Sequence, residues 1–286
     1  MIRSSTQTST RKRRLIVQNT RIVKLDFHRR EWCGRSKLHI PRLHTLRLDL
    51  LTCGLGPVLH GLTDSEAQCS LLKSFQPVKL VLFGASLNNI GPFPIGFPTT
   101  EKAGFYDKVE KLVFIVPSIN FTPNTMFEPF PPMKKLKQVV WIIYTALPGP
   151  KETWKFGTHS IHGEGFSPGI SMGLFAFSSA IWFFQGVPVT IVNAGSMDRS
   201  IVQETEWHYD KIEAKIREHI EKAWLTPWMA MPREETNNME EEHEEVRVER
   251  VRQRMESIRF VTMPEYLRTE DWEGELSQNE VKGWSD

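Results

Sequence analysis

The sequence predicts an α/β protein with one mainly parallel sheet, irregular crossovers and C-terminal helices. Three observations predict this fold. First, runs rich in Val, Leu and Ile alternate apolar and polar residues as β-strands do, at residues 22–27, 43–50, 78–83, 109–116, 136–143, 187–192 and 258–262. Second, a helix-compatible stretch separates two of these runs, and the order strand, helix, strand favours parallel pairing. Third, the middle runs are apolar on both alternating sides, which is typical of a parallel sheet covered on both faces.

The seven runs are expected to form a single sheet with its strands in sequence order. Its expected core row consists of Leu46, Leu80, Leu112 and Val139. The opposite side of the same strands carries Val81, Phe83, Val113, Ile115, Val140 and Ile142. Because these residues are apolar too, the second face needs its own covering layer. We expect residues 170–184 or the helix of residues 199–225 to supply that layer.

The connections between the strands differ in kind. Thr63 and Glu66 have the spacing of a capping box, which begins a helix that runs through residue 75 and ends before Pro77. The later connections are rich in proline and glycine, so they are predicted to be long irregular loops, at residues 84–104, 117–135 and 147–169.

Residues 170–184 are nearly all apolar, and together with residues 187–192 they reach the length of a transmembrane span. Gln185, Gly186 and Pro188 interrupt the stretch, and no basic cluster flanks it closely. A buried crossover helix that leads into a buried strand is therefore predicted.

The C-terminal third is predicted to be mainly helical. Residues 199–225 place apolar side chains on one helix face, namely Ile201, Ile212, Ile216, Ile220 and Trp224. Residues 240–255 are acidic at the start and basic at the end, which indicates an exposed helix. Residues 264–267, with Trp272 and Trp284, predict a C-terminal cap anchored by aromatic side chains.

These patterns predict a single structured domain behind a tail. Residues 1–18 are rich in Ser, Thr and basic residues and are expected to be a disordered basic tail. Residues 19–286 are expected to form one α/β domain, with residues 196–286 as its charged helical part. The basic tetrad at residues 11–14 fits a nuclear address, a nucleic-acid contact or a solvated cluster.

The overall charge and the cysteines limit the classes of partner and compartment. Among the 286 residues, 36 Lys and Arg oppose 34 Asp and Glu, and this net charge of +2 provides no global field to attract nucleic acid or a membrane. We therefore expect neither as a partner. Cys33, Cys53 and Cys69 are too far apart for a Cys-x-x-Cys pair and are odd in number. Reduced thiols in a cytoplasmic or nuclear protein are predicted.

The strand pattern resembles a leucine-rich repeat, whose Leu-x-x-Leu-x-Leu core is matched at Leu43, Leu46 and Leu48, at Val109, Leu112 and Phe114, and at Leu136, Val139 and Trp141. The predicted sheet is therefore leucine-rich-repeat-like, with degenerate repeats. Residues 69–82, 189–195 and 259–272 also resemble uncharacterised fungal F-box-like proteins with such repeats. In that family an F-box docks the adaptor of a cullin ubiquitin ligase and the repeats select the substrate. The first forty residues contain no Leu-Pro-x-Glu opening, so the resemblance concerns the repeats.

Two motifs that look catalytic fail on their chemistry. Residues 165–169 match Gly-x-Ser-x-Gly, but the oxyanion hole of that motif needs a backbone N–H after the serine, and Pro168 has none. Residues 82–86 and 189–195 end in glycine-containing turns, as in short-chain dehydrogenases. The intermediate glycine that lets a pyrophosphate approach is missing, and no tyrosine precedes a lysine by four positions. Neither a catalytic residue nor a cofactor is predicted.

One loop contains residue types that can bind a metal ion. His159, His162 and Glu164 are close in sequence, and two imidazoles with a carboxylate can bind zinc. A fourth ligand is not apparent nearby, which favours solvated histidines, so no metal site is predicted.

The predicted function is protein–protein recognition without catalysis, including the selection of substrates for a ubiquitin-ligase-type protein. In a parallel sheet the three long loops leave from one edge, and they carry aromatic residues that typically anchor interfaces. The predicted partner-binding residues are Phe121, Phe127, Phe130, Trp154, His159 and His162. The alternative is a hydrolase-type enzyme with its site on the same loop edge. The identity of the partner and the oligomeric state are left open.

Overall fold

A computed structural model describes residues 19–25, 40–49, 75–83, 105–116, 133–143, 177–178, 181–182, 184, 186–196, 212–225 and 244–284. The predicted tail of residues 1–18 and the predicted capping box at residues 63–66 lie outside the described residues.

The described strands form one seven-stranded sheet in which every neighbouring pair is parallel. The strands are β1 (Ile22–Leu25), β2 (Thr45–Asp49), β3 (Lys79–Phe83), β4 (Lys111–Val116), β5 (Gln138–Ile143), β6 (Val189–Val192) and β7 (Ile258–Val261). Their spatial order is their sequence order. The helices are α1 (Ile212–Leu225), α2 (Glu244–Glu256), α3 (Met263–Thr269) and α4 (Gln278–Val281). The predicted α/β class and sequential parallel sheet are confirmed.

The strand register places the predicted core row across neighbouring strands. Leu46 pairs with Leu80, Leu80 with Leu112, and Leu112 with Val139. All four side chains are fully buried. Side chains two residues apart on a strand share a face, so the positions that alternate with this row belong to the opposite face.

Helices α1 and α2 and the helical residues 177, 178, 181 and 182 pack on the face of the sheet that carries this row, which we call the first face. Ile216, Ile220 and Trp224 of α1 are fully buried in the same cluster. The indole N–H of Trp224 donates to the backbone oxygen of Ser178 (2.9 Å), which joins α1 to the apolar segment. The predicted buried crossover helix at residues 170–184 is thus buried wherever it is described. No helix in the described part of the chain combines the length and the apolarity that a membrane span requires.

The second face is also covered, as predicted, but by another part of the chain. Val81, Val113 and Val140 have no exposed surface. They pack in a second cluster with Met263, Tyr266, Leu276 and Val281 of the C-terminal segment, residues 262–284. The described parts of residues 170–184 and 199–225 pack on the first face instead, so the expectation that they form this second layer is wrong. The second face also carries Arg47, Lys79 and Lys111, which need carboxylates, and residues 170–184 contain no charged side chain.

Helix α2 is less exposed than its composition predicts. Val246 and Val248 are exposed, but Val251 and Met255 lie in the first-face cluster. Arg254, 7% exposed, donates to the backbone oxygens of Ile181 (3.1 Å), Phe184 (2.9 Å) and Val187 (2.9 Å). Burial lowers the pKa of Arg254 to about 10. The guanidinium thereby fixes the chain that leads into β6.

Candidate functional site

The residues predicted to bind a partner are Phe121, Phe127, Phe130, Trp154, His159 and His162, and all lie outside the described residues. The loops 84–104 and 147–169 also lie outside them, and only residues 133–135 of the loop 117–135 are described. Binding at the loop edge therefore stays a prediction.

One dehydrogenase-like motif is described, and it is a turn at the end of a strand. Asn193 follows β6 with a φ of 61°, a left-handed conformation that asparagine tolerates better than most residues. Its side-chain amide donates to the backbone oxygen of Ile143 (3.2 Å). Its backbone N–H donates to the oxygen of Val261 (2.8 Å). The conformation ends β6 and links it to β5 and β7.

Charged side chains fill the second face near the start of the central strands. The carboxylate of Glu275 is completely buried. One of its oxygens lies 3.1 Å from Nζ of Lys79 and 2.7 Å from Nζ of Lys111. The other accepts a hydrogen bond from the phenol of Tyr266. Burial raises the pKa of Tyr266, and the negative charge of Glu275 raises it further.

A second ion pair lies beside this cluster. Arg47 donates to both carboxylate oxygens of Glu280, at 2.8 and 2.6 Å, and also to the backbone oxygen of Glu275. Burial alone would raise the pKa of Glu280, but the hydrogen bonds from Arg47 and Ser277 outweigh it and lower the pKa. Ser277 and Glu280 also form the capping box at the start of α4.

These buried charges join the C-terminal segment to the sheet. Each carboxylate is within ion-pair distance of a cation of β2, β3 or β4, and burial of such charges is tolerated only when they are paired. Within the described ranges, no group of three His, Cys, Asp or Glu residues that could hold a metal ion occurs. The cluster is therefore a structural element of the second face.

The end of the sheet at which the parallel strands begin, which we call the amino-terminal edge, carries exposed cations instead of buried ion pairs. Strands β2, β4 and β5 are each preceded by a turn in which the backbone oxygen of the first residue accepts from the N–H of the fourth. These hydrogen bonds join Ile40 with Leu43 (3.2 Å), Tyr106 with Val109 (3.1 Å) and Met133 with Leu136 (3.0 Å). The first and fourth residues are apolar and pack on the first-face cluster. The third residue is a cation each time, and all three are exposed: Arg42, Lys108 and Lys135.

A shared hydrogen-bond pattern fixes the residue before each strand. The backbone oxygen of Arg21 accepts from the N–H groups of both His44 (2.7 Å) and Thr45 (2.9 Å). The oxygens of His44, Val78 and Glu110 accept two N–H groups from the following strand in the same way. Because the residue before each strand accepts hydrogen bonds from the start of the next strand, these turns are aligned along the amino-terminal edge.

A cleft of about 280 Å³ opens at this edge, beside the turns that precede β2 and β4. It is lined by Arg21, Ile40, Pro41, Arg42, Leu43, His44, Gln76, Val78 and Lys108. Arg21, Arg42 and Lys108 are exposed, and none of the three has a carboxylate partner within the described ranges. Nearby, Glu110 pairs with Lys137 (2.8 Å). That hydrogen bond lowers the pKa of Glu110.

Sequence reasoning missed this edge, although a local signal for it exists. An apolar residue, a variable one, a cation and another apolar residue precede three of the strands, at residues 40–43, 106–109 and 133–136. Each copy contains four residues and looks like an ordinary turn. The long loops predicted for the other edge gave a stronger signal because they combine unusual length with many aromatic residues.

Chemically, the cleft can bind an anion, since three cations and the imidazole of His44 line an apolar floor. The Nδ1 atom of His44 lies 3.1 Å from Oγ1 of Thr45, which orients the ring. Comparison of the chain with protein-family models, with curated proteins and with solved structures gives no significant match. The roles of these residues are therefore inferred from their geometry alone.

Proposed function

We propose that this chain is a non-catalytic protein–protein recognition module built from leucine-rich-repeat-like units, of the kind that selects substrates for a ubiquitin-ligase-type protein. The observation that carries the proposal is the amino-terminal edge, where the same turn precedes β2, β4 and β5 and presents a cation each time. Repetition of one structural unit along a sheet produces an extended surface, which is how repeat proteins bind their partners.

Burial of the strand pattern supports the repeat-like description. The turn residues Leu43 and Val109 are buried in the same cluster as the core row, and Leu136 packs against it. The third apolar position of each unit, Leu48 or Phe114 for example, belongs to this cluster as well. All three apolar positions of the Leu-x-x-Leu-x-Leu pattern therefore point to one core.

The covered second face determines where a partner can bind. In an open repeat sheet the residues between the leucines form the binding surface. Here Val81, Val113 and Val140 occupy those positions in β3, β4 and β5, and the C-terminal segment buries them. Helices α1 and α2 cover the other face. In the described part of the chain, the sheet itself is then accessible at the ends of its strands, and the described ends are the amino-terminal ones.

The test is capture of partners from cell extract by the full-length chain, compared with two variants of equal charge. The edge variant carries Arg42→Gln and Lys108→Gln, and the control variant carries Lys222→Gln and Arg268→Gln, which are exposed cations of α1 and α3. We expect the native chain and the control to retain the same proteins and the edge variant to lose them. If the edge variant folds normally by circular dichroism and retains every partner, recognition at this edge is rejected. If the native chain captures nothing, the proposed function is rejected.

A further inference from the structure

We infer that the amino-edge cleft binds the anionic side chains of an extended, acidic protein segment. This inference rests on the proposed function and names the chemistry of the partner. Its basis is the convergence of Arg21, Arg42 and Lys108 on one cleft. Arg21 directly precedes β1, and Arg42 and Lys108 belong to the turns before β2 and β4, so the fold and not a local run of basic residues brings them together.

Several cations elsewhere in the described residues have carboxylate partners, unlike the cations of this cleft. On the second face, Arg47, Lys79 and Lys111 each lie within ion-pair distance of a carboxylate of the C-terminal segment. On helix α2, Arg252 pairs with Glu249 (2.7 Å). The cleft cations have no such partner within the described ranges. Like charges close together repel each other, and an anionic ligand would relieve that repulsion while forming charge-assisted hydrogen bonds.

The dimensions of the edge fit an extended chain that crosses the ends of the strands. The turns that carry Arg42 and Lys108 belong to strands two positions apart, which places them roughly 10 Å from each other. Lys135 extends the row by one more strand, to a total of roughly 14 Å. An extended segment of about five residues spans that distance. Arg42, Lys108 and Lys135 would therefore contact acidic residues spread over one short segment.

The lining favours a protein segment over a nucleic acid. Ile40, Leu43 and Val78 supply aliphatic walls, which suit the aliphatic part of a peptide side chain. Single-stranded nucleic acids are bound by stacking of bases on aromatic rings, and among the described residues that line the cleft His44 is the only aromatic one.

The anionic group itself has two sources, a carboxylate or a phosphorylated hydroxyl side chain, and both suit guanidinium and ammonium donors. The test measures fluorescence anisotropy with labelled synthetic peptides and the full-length chain. One peptide contains about five glutamates in a row, a second has phosphoserines at those positions, and glutamine and serine versions serve as neutral controls. A single-stranded RNA of equal charge is the nucleic-acid probe.

We expect at least one anionic peptide to bind and both neutral peptides to fail, and the stronger of the two anionic peptides identifies the source. The double change Arg42→Gln and Lys108→Gln should weaken binding at least about tenfold. The charge-conserving changes Arg42→Lys and Lys108→Arg should retain most of it, as should the control variant at Lys222 and Arg268. Binding should also weaken as the salt concentration rises.

Three results would overturn the inference. They are failure of both anionic peptides to bind, equal binding by the edge variant, and tighter binding of the RNA than of either peptide. Failure here is distinguishable from failure of the proposed function. If the edge variant loses protein partners in extract but no anionic peptide binds, recognition stands and the acidic chemistry is wrong. If the peptides bind and the native chain captures no protein, anion binding at the cleft is supported and the recognition function is wrong.

Discussion

Arg47 and Glu280 form a two-point ion pair, at 2.8 and 2.6 Å, between residues 233 positions apart in the chain. The pair joins β2 to α4, so the last α-helix and an early strand are held in one arrangement. Both side chains are largely buried, with 3% and 16% of their surface exposed. Screening by solvent is therefore weaker than at a surface pair.

The first prediction concerns the pH dependence of this pair. Folding lowers the pKa of Glu280, so its stabilising contribution is present above the unfolded value of about 4.3 and is lost as the pH falls through the folded value. We expect Glu280→Gln to lower the free energy of unfolding at neutral pH, and this loss to shrink in acid. Urea unfolding at several pH values measures it. Glu221→Gln on the exposed side of α1 is the control, and an equal pH dependence in both variants would contradict the prediction.

The second prediction concerns Glu275, the buried carboxylate between Lys79 and Lys111. Replacement by glutamine keeps the shape but deprives the buried ammonium group of Lys79 and the partly buried one of Lys111 of this counter-charge. Loss of one partner from a buried ion pair typically costs about 3–5 kcal/mol, and we expect Glu275→Gln to fall near that range. Glu273→Gln, on an exposed side chain of the same segment, should have little effect.

A double-mutant cycle separates the charge effect from general damage to the packing. In the Glu275→Gln background, Lys111→Met removes one of the two cations that have lost this counter-charge, so its own cost should be smaller than in the native chain. Additive costs in urea unfolding would show that Glu275 does not stabilise Lys111.

The core row is a part of the fold that the local sequence pattern predicts. Leu46, Leu80 and Leu112 were predicted to stack because alternation along each strand identifies the buried side. The identity of the second layer was not predictable in this way. Lys79 and Glu275 each look like ordinary solvated charges in their own surroundings, and no periodicity connects residues so far apart in the chain.

The candidate edge was missed for a related reason. Arg42, Lys108 and Lys135 occupy equivalent turn positions, but the chain between these turns varies in length, so no fixed repeat period reveals them. Only strand pairing in register brings the three turns into line. The loop-edge residues, such as Trp154 and His162, were selected from composition, and their role stays a prediction.

The third prediction tests the core row itself. Leu112 is fully buried at the centre of the row, on β4, between Leu80 and Val139. Leu112→Ala should lower the free energy of unfolding by about 2–5 kcal/mol, because it removes buried apolar surface and leaves a cavity. Val246→Ala, at an exposed position of α2, should change it by less than about 0.5 kcal/mol. Similar values for the two variants in denaturant unfolding would contradict a packed row.

The last prediction concerns two glycines with nearly the same backbone conformation. Gly186 has a φ of 77° and Gly274 a φ of 78°, so alanine is strained at both by roughly 1–2 kcal/mol. Their surroundings differ, since a Cβ at Gly186 meets nothing within 4 Å. A Cβ at Gly274 would lie 2.9 Å from Cγ2 of Thr45 and 3.1 Å from Cγ2 of Ile22.

Gly274→Ala should therefore cost more than Gly186→Ala, by about 1–3 kcal/mol of overpacking. Thermal and urea unfolding of both variants measure the difference, which reports how closely the C-terminal segment approaches β1 and β2. Thr45→Ser removes the nearest methyl group and retains the hydroxyl, so Gly274→Ala should be less destabilising in that background than in the native one. Equal costs for the two glycines, or no relief by Thr45→Ser, would show that the segment does not contact the strands at this point.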